Sequence, residues 1–240
     1  MTGTMAKGPI KICGLSTEDT LEAAIAAGAG MIGLVFFPKS PRHVDLATAA
    51  RLADLARGRT EIVALTVNAD DATIDAIVAR VRPDWLQLHG SESPQRCADL
   101  KARHGVRIMK ALGIREADDI AAALPYVGHV DRLLFDAKPP KGADLPGGNG
   151  ASFDWTLLQG LDLGVPLMLS GGLDPRTVAD AIRIGGIADV DVSSGVERAR
   201  GEKDEDLIHA FVAAARQGAT DRPAGDRSLS GRAAQQGRTA

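Results

Sequence analysis

Eight short apolar runs recur along this chain, and a segment with helical periodicity follows each of them. The run at 31–37 is apolar except for Gly33, which is typical of a strand buried on both faces of a parallel sheet. The predicted strands are 9–13, 31–37, 61–67, 85–89, 106–110, 133–136, 166–170 and 189–192. The predicted helices are 20–27, 46–56, 71–80, 94–104, 115–124, 153–159, 175–184 and 204–216. Because right-handed crossovers between parallel neighbours close naturally into a ring, we expect an α/β fold, a (β/α)8 TIM barrel. An open doubly wound sheet is the nearest alternative.

The length of the chain fits one barrel domain. Single α/β barrels run to about 250 residues, and this chain has 240. We expect the barrel to span residues 9–217. Residues from 219 onward lack apolar periodicity and are rich in Gly, Ser, Gln and Arg, so we expect 218–240 to be disordered, as well as 1–8.

Charge and cysteine content limit the partners and the compartment. The chain carries 28 Lys and Arg against 31 Asp and Glu, so no overall basic field points to nucleic acid or a membrane surface. Cys13 and Cys97 give neither a disulfide framework nor a metal-finger spacing. The N-terminus lacks the apolar run of a signal peptide, and no apolar stretch is long enough to span a bilayer. We therefore expect a cytoplasmic protein with a small-molecule partner.

The glycines between residues 28 and 33 match the pattern G-x-G-x-x-G of dinucleotide-binding proteins. In those proteins the pattern leaves a strand and opens a helix. Here it leaves a predicted helix and enters a predicted strand. We therefore interpret these glycines as an ordinary connection and expect no dinucleotide at this point.

Two loops near the end of the chain combine serine and glycine directly after an apolar run. The first contains Ser170, Gly171 and Gly172, and the second contains Ser193 and Ser194. In a barrel these loops follow the seventh and eighth strands, where backbone N–H groups commonly bind a phosphate. Each loop alone would be consistent with an ordinary turn. The pair predicts a phosphate site.

Barrel enzymes place catalytic groups where the strands end, so the strand ends supply the candidates. Cys13 ends the first predicted strand and Asp136 the sixth, and these strands lie nearly opposite each other. A base and an acid could therefore act on opposite sides of one substrate. A thiolate can act as the base if positive charge lowers its pKa, and Lys11 and Arg42 could supply that charge. The alternative for Cys13 is a small buried hydrophobic residue.

Other strand ends allow different interpretations. His89 ends the fourth predicted strand, and we favour a polar cap over a catalytic role for it. Lys110 ends the fifth and supports a competing function, a Schiff-base lyase whose lysine attacks a carbonyl. A barrel that only binds phosphate is a third possibility. Cys97 lies within a predicted helix, and we expect it to be inert.

Several blocks, taken together and in order, resemble the phosphoribosylanthranilate isomerase family of tryptophan biosynthesis. The blocks are Lys11–Gly14, Gly33–Arg42, Gln87–Gly90, Leu134–Asp136, Gly147–Gly150 with Phe153–Trp155, Leu169–Leu173 and Val190–Glu197. The resemblance covers residues 9–217. It implies an Amadori rearrangement of N-(5′-phosphoribosyl)anthranilate to the 1-deoxyribulose 5-phosphate product, without a cofactor or a metal.

The resemblance also implies residue roles. Asp136 would be the general acid that opens the ribose ring, and Cys13 the general base that removes the proton from C2′. Arg42 would hold the anthranilate moiety. The remaining substrate-binding residues would be His89, Gly171, Gly172, Asp191, Ser193 and Ser194. The family leaves open a monomer or a homodimer.

One position departs from the family pattern. The glycine loop reads Gly-Gly-Asn-Gly over 147–150, where the family more often has Thr or Ser in place of Asn149. Asn still donates and accepts hydrogen bonds, so we expect a similar mobile loop over the site.

Overall fold

The structure, a computed structural model, describes residues 9–138, 147–148 and 150–220. Eight parallel strands form a closed barrel in chain order, and the first strand pairs with the eighth. The strands are β1 Ile10–Cys13, β2 Met31–Phe36, β3 Glu61–Thr66, β4 Trp85–Leu88, β5 Arg107–Ile114, β6 Arg132–Ala137, β7 Leu167–Leu169 and β8 Val190–Val192. The (β/α)8 barrel is therefore confirmed, and the open sheet is excluded because β1 and β8 are hydrogen-bonded neighbours.

Helices form the outer layer of the barrel. They are α1 Glu18–Ala27, α2 Leu46–Ala56, α3 Asp71–Val81, α4 Pro94–His104, α5 Ala117–Ala121, α6 Val178–Gly185 and α7 Glu205–Thr220. Several of these helices begin at a residue whose side-chain oxygen accepts a hydrogen bond from a backbone N–H of the first turn, which would otherwise be unpaired. The capping residues are Thr17, Asp45, Asp70 and Ser93.

Two predicted helices are wrong in part. The segment predicted as one helix over 115–124 is the short α5 followed by a 3-10 turn, Leu124–Tyr126, which contains Pro125 near its start. Proline has no N–H to donate, so it favours a new start over continuation of the helix. The segment predicted as a helix over 153–159 is a 3-10 turn, Trp155–Leu158. Gly160 follows that turn with a positive φ of 70°, a conformation that does not continue a right-handed helix.

The last helix extends further along the chain than expected. Helix α7 runs to Thr220, and Gly218 is buried against α6, where a Cβ would lie 2.7 Å from the Cα of Ala179. Residues 218–220 are therefore helical and not part of a disordered tail. Residues 1–8 and 221–240 lie outside the described residues. Among the helices described, none combines the length and the apolar character needed to cross a membrane.

Alternation along the strands divides the core into two layers. Side chains that point outward from the sheet pack with the helices, and Ile12 on β1 and Phe135 on β6 are examples. Side chains that point inward form an apolar floor, which consists of Met31, Val63, Trp85, Met109, Ala111, Leu134 and Met168. Above this floor, toward the C-terminal ends of the strands, Cys13 packs with Val35 and Leu65. The barrel is thus filled below and carries its polar groups above.

A close backbone contact joins the loops after β7 and β8. A Cβ at Gly195 would lie 1.9 Å from the carbonyl oxygen of Leu173, a separation that no side chain can adopt. Gly195 lies in a 3-10 turn, Ser194–Val196, and has no positive φ, so contact and not backbone conformation requires glycine there. The contact fixes the distance between the two loops.

We predict that Gly195→Ala separates these loops and lowers the free energy of unfolding by about 1–3 kcal/mol, as overpacking typically does. Gly185→Ala is the matched control. Gly185 ends α6, and its nearest neighbour to a Cβ lies at 3.4 Å, so alanine should be neutral or slightly stabilising there. Urea unfolding of both variants measures the difference. Equal stability of the two variants would contradict the account of this contact.

Candidate active site

One cavity at the C-terminal ends of the strands collects every residue proposed for the site. Its lining contains Cys13, Arg42, His89, Asp136, Gly171, Gly172, Asp191, Ser193 and Ser194. These residues come from six different strand ends or the loops that follow them. The wall between them is partly apolar, with Val35, Phe37, Leu65 and Val67 among its residues.

Cys13 lies at the end of β1 and is 4% exposed. Its neighbour on β2 is Gly33, where a Cβ would lie 2.8 Å from the Cys13 sulfur, so the missing side chain makes room for the thiol. Burial raises the pKa of Cys13, and the nearby Lys11 ammonium opposes that increase. Lys11 thus acts in the direction that the sequence suggested, but loss of hydration outweighs its attraction and the net pKa is raised.

Asp136 and His89 lie next to each other in the wall of the cavity. The Nε2 atom of His89 lies 3.4 Å from Oδ2 of Asp136, and Oδ1 of Asp136 accepts the N–H of Ala137 at 2.8 Å. Gly147 covers this pair: a Cβ there would lie 2.4 Å from Oδ2 of Asp136. Asp136 is thus held in a nearly dry position with one oxygen directed toward His89 and the cavity.

Arg42 is held by the carboxylate of Glu197, a residue for which the sequence predicted no role. Its Nε donates to Oε1 of Glu197 at 2.6 Å, and one terminal nitrogen donates to Oε2 at 2.9 Å. Lys203 also donates to Oε1 of Glu197, at 2.7 Å. Glu197 and Lys203 belong to a small hairpin, β9 Glu197–Ala199 and β10 Glu202–Lys203, which the sequence patterns did not predict. Such a bidentate pair fixes the plane of the guanidinium.

The pKa of Glu197 is lowered from 4.5 to about 2. Burial by itself would raise this pKa, but the hydrogen bond from Arg42 and the charge of Lys203 outweigh burial.

The loops after β7 and β8 present backbone donors to the cavity. Gly171 and Gly172 both have positive φ, 86° and 64°, which glycine adopts without strain. Within the described part of the chain, the N–H groups of Gly172 and Ser194 donate to no acceptor. Ser193 is fixed by three contacts: its hydroxyl donates to the carbonyl of Cys13 at 3.1 Å, and Nζ of Lys203 donates to the Ser193 carbonyl at 2.9 Å and to the Ser193 hydroxyl oxygen at 3.3 Å. This is a suitable environment for an anion.

Asp191 lines the cavity but is also engaged in the barrel interior. Its Oδ1 accepts from Nζ of the fully buried Lys11 at 2.7 Å, and Oδ2 accepts from the hydroxyl of Ser170 at 3.2 Å. Asp191 therefore lines the cavity and at the same time binds Lys11 in the barrel interior.

Lys110 does not belong to this cavity. Strand β5 continues to Ile114. Lys110 therefore lies within the strand, and the prediction that it ends the strand is wrong. Its neighbours Met109 and Ala111 point into the barrel, so Lys110 points outward. There its Nζ donates to three acceptors: the carbonyls of Leu88 at 3.1 Å and Gly90 at 2.7 Å, and Glu92 at 2.9 Å. An outward, fully bonded lysine cannot attack a carbonyl in the cavity, and the lyase interpretation is wrong.

Two other predicted positions have simple outcomes. Cys97 is fully buried in α4, and burial raises its pKa to about 11, which agrees with an inert thiol. Asn149 lies outside the described residues. Among the described residues, no group of three or more His, Cys, Asp or Glu side chains is placed to hold a metal ion.

Comparisons with known proteins identify the family. The family model for N-(5′-phosphoribosyl)anthranilate isomerase matches residues 10–214. The N-(5′-phosphoribosyl)anthranilate isomerase of Rhodopseudomonas palustris strain BisA53 is 60% identical over 213 residues, covering 89% of this chain and 97% of the relative. That of Mesorhizobium japonicum is 54% identical over 215 residues, covering 90% and 98%.

This chain belongs to the N-(5′-phosphoribosyl)anthranilate isomerase family. It is an isomerase of tryptophan biosynthesis, as the resemblance implied. The crystal structure of the Thermotoga maritima family member superposes with a TM-score of 0.79 at 33% identity, covering 87% of this chain and 98% of that one. Another solved structure of a phosphoribosyl anthranilate isomerase holds reduced 1-(o-carboxyphenylamino)-1-deoxyribulose 5-phosphate, with a TM-score of 0.76 at 31% identity and the same coverage.

We predict that Glu197→Gln reduces the acid sensitivity of folding. A carboxyl whose folded pKa is depressed from 4.5 to about 2 stabilises the protein above its unfolded pKa, and this stabilisation is lost as pH falls toward 2. A shift of this size corresponds to about 3 kcal/mol. The free energy of unfolding of the variant should therefore fall less between pH 5 and pH 2.5 than that of the unmodified protein.

Glu202→Gln is the control for this measurement, because Glu202 lies in the same hairpin but its pair with Arg198 is exposed. That variant should follow the unmodified protein. If Glu197→Gln also followed it, Glu197 would not have the depressed pKa.

Proposed function

We propose that this isomerase works by general acid–base catalysis, with Asp136 as the acid and Cys13 as the base. The observation that carries the assignment is their placement: both side chains line one cavity, which is flanked by N–H groups of the loops after β7 and β8 that have no acceptor among the described residues. An internal redox isomerisation of a sugar phosphate needs one acid, one base and an anchor for its charged end.

In this proposal the phosphate of N-(5′-phosphoribosyl)anthranilate binds between Gly171-Gly172 and Ser193-Ser194. The loops supply backbone donors, and Gly195 lets them approach closely. The anthranilate end lies near Arg42, whose guanidinium still has donors that Glu197 does not use. The apolar wall, with Val35 and Leu65, suits the aromatic ring.

The chemical steps follow from this placement. Asp136 donates its proton to the ribose ring oxygen while the bond between C1′ and that oxygen breaks, and the amine lone pair forms a C=N bond to C1′. Cys13 then removes the proton from C2′, and the electrons of that bond form the enolamine. Return of a proton to C1′ and loss of the hydroxyl proton at C2′ give the ketone and restore both side chains. No redox partner is needed, because C1′ is reduced as C2′ is oxidised.

Gln87 is a further candidate for contact with the substrate. It is fully buried, lines the cavity, and its Oε1 has no hydrogen-bond partner within the described chain. An unpaired buried carbonyl is costly, and a substrate hydroxyl would satisfy it. Its Nε2 lies 3.4 Å from Nδ1 of His89, so Gln87 also orients the ring that faces Asp136. We therefore assign His89 to substrate contact and to the environment of the acid.

We also propose a cytoplasmic protein that takes a small phosphorylated substrate, acts without nucleic acid, and is a monomer or a homodimer. Both cysteines are free and buried, which suits a reducing compartment. One of the similar solved structures is of monomers generated from the dimeric phosphoribosylanthranilate isomerase of Thermotoga maritima, so that relative is a dimer from which monomers can be made. Sedimentation of the purified protein distinguishes them.

We predict that Cys13→Ser and Asp136→Asn each lower kcat by about 10²- to 10⁴-fold, the usual contribution of an acid or a base. Serine is a far poorer base than a thiolate, and asparagine cannot donate the proton that opens the ring. KM should change little, because the phosphate and anthranilate contacts lie elsewhere. The rates are measured with saturating substrate by following the decay of phosphoribosylanthranilate fluorescence.

Cys97→Ser is the matched control for the cysteine, since it removes a buried thiol outside the cavity and should retain kcat. If Cys13→Ser or Asp136→Asn kept nearly full kcat, that residue would be structural and the acid–base assignment would be wrong.

A further inference from the structure

A buried lysine lies directly below the proposed base. Lys11 and Cys13 are two residues apart on β1, so both point into the barrel while Ile10 and Ile12 pack outward against the helices. Lys11 is 0% exposed. An ammonium in such a position needs a charged or polar partner for each of its protons, because burial without one is costly.

Two buried lysines of this chain differ in how their protons are used. Lys110 donates to three oxygens, so its ammonium is fully bonded. Within the described residues, Lys11 donates to one oxygen only, Oδ1 of Asp191 at 2.7 Å. Its other protons have no acceptor among the described residues, and Cys13, two positions along β1, points to the same side of the strand. The Lys11 ammonium therefore lies close enough to Cys13 for its charge to favour the thiolate.

The charged groups around Cys13 come from several elements. Lys11 lies on β1, Asp191 on β8 and Lys203 on β10, and all three affect the thiol by charge. Asp136 and His89 line the opposite side of the same cavity, and Arg42 lines it with its guanidinium held by Glu197. Of the two side chains below the thiol, Lys11 favours the thiolate and Asp191 opposes it. Burial raises the pKa of Cys13, and Lys11 is the largest influence in the other direction.

We propose that Lys11 is a positioning residue for the reaction: its ammonium, anchored by Asp191 in the barrel interior, stabilises the thiolate of Cys13 from below. The proposal rests on the function proposed above, in which Cys13 is the base. Lys11 does not touch the substrate in this arrangement. It acts through the sulfur, and Asp191 limits the strength of its action by holding the same charge.

The experiment measures the ionisation of Cys13 without the substrate. The rate of Cys13 alkylation by iodoacetamide is followed against pH by peptide mass spectrometry, which separates Cys13 from Cys97. The midpoint of the profile reports the pKa of the thiol, and the plateau at high pH reports access to the sulfur. The proteins compared are the unmodified enzyme, Lys11→Met, Lys11→Arg, Asp191→Asn and Lys110→Met.

The expected shifts have opposite signs. Lys11→Met should move the midpoint to higher pH, so that alkylation below the midpoint is about tenfold slower or more, a shift of about one pKa unit. Asp191→Asn should move it to lower pH, because the lysine charge is then no longer shared. Lys11→Arg keeps a positive charge and should lie closer to the unmodified enzyme. Lys110→Met removes an equally buried lysine on the other side of the sheet and should leave the midpoint unchanged.

Other outcomes would overturn the proposal. Changed plateaus with an unchanged midpoint in Lys11→Met would show that the lysine only supports packing. A shift in the same direction for Lys11→Met and Asp191→Asn would have the same consequence. If Lys11→Met fails to fold, Lys11→Gln replaces it, since glutamine is neutral but can still donate a hydrogen bond to Asp191, and an unchanged midpoint in that variant contradicts the proposal. Failure of the catalytic assignment is separate: it appears as retained kcat in Cys13→Ser, whatever the alkylation profiles show.

Discussion

The pairing of β1 with β8 is the contact on which the site depends. These strands are far apart in the chain, and their parallel register, with Lys11 beside Asp191 and Ile12 beside Val192, closes the barrel. Closure places Cys13 next to the loop of Ser193, whose hydroxyl donates to the Cys13 carbonyl. It also brings Lys11 within 2.7 Å of Asp191. The proposed base, the lysine below it and the loop proposed to bind the phosphate are therefore all positioned by one strand pairing.

Three buried ion pairs of this protein each hold a side chain or a loop in place. Lys11–Asp191 lies below the thiol, Arg42–Glu197 fixes the guanidinium, and Lys110–Glu92 ties the loops after β3 and β4. Buried ion pairs contribute little net stability, because the loss of hydration offsets their attraction. Their value here is geometric. Each fixes a side chain or a loop that a purely apolar interior would leave free to rotate.

Much of the fold follows from the sequence because its signals are local. A strand such as 31–36 is apolar throughout, and helix starts such as Asp70 and Ser93 carry their own capping oxygen. The segment at 153–159 was predicted as a helix from its apolar residues, yet a cap that bonds to Thr156 and a following Gly160 limit it to one 3-10 turn. The predicted site residues lie in sequence blocks that resemble the family and occur in the same order. The structure brings all of these residues to one cavity.

Other parts of the site depend on contacts that a sequence does not display. Lys110 appeared to end its strand, and only the continuation of β5 beside β6 shows that it points away from the cavity. Glu197 meets Arg42 across 155 positions of sequence, and no spacing rule connects the two. Gln87 and Lys11 carry no local motif of their own. The register with the neighbouring strands determines on which face of the sheet each side chain lies, and this places both of them inside the barrel.

The most direct test of the account is the crystal structure of the Cys13→Ser variant with reduced 1-(o-carboxyphenylamino)-1-deoxyribulose 5-phosphate, the compound held by one of the similar solved structures. The phosphate should accept hydrogen bonds from the N–H groups of Gly172 and Ser194, and the carboxyphenyl group should lie beside Arg42. The C2′ carbon should then face residue 13, and the sugar oxygens should face Asp136. A phosphate bound elsewhere, or a ligand whose C2′ carbon contacts neither side chain, would contradict the account.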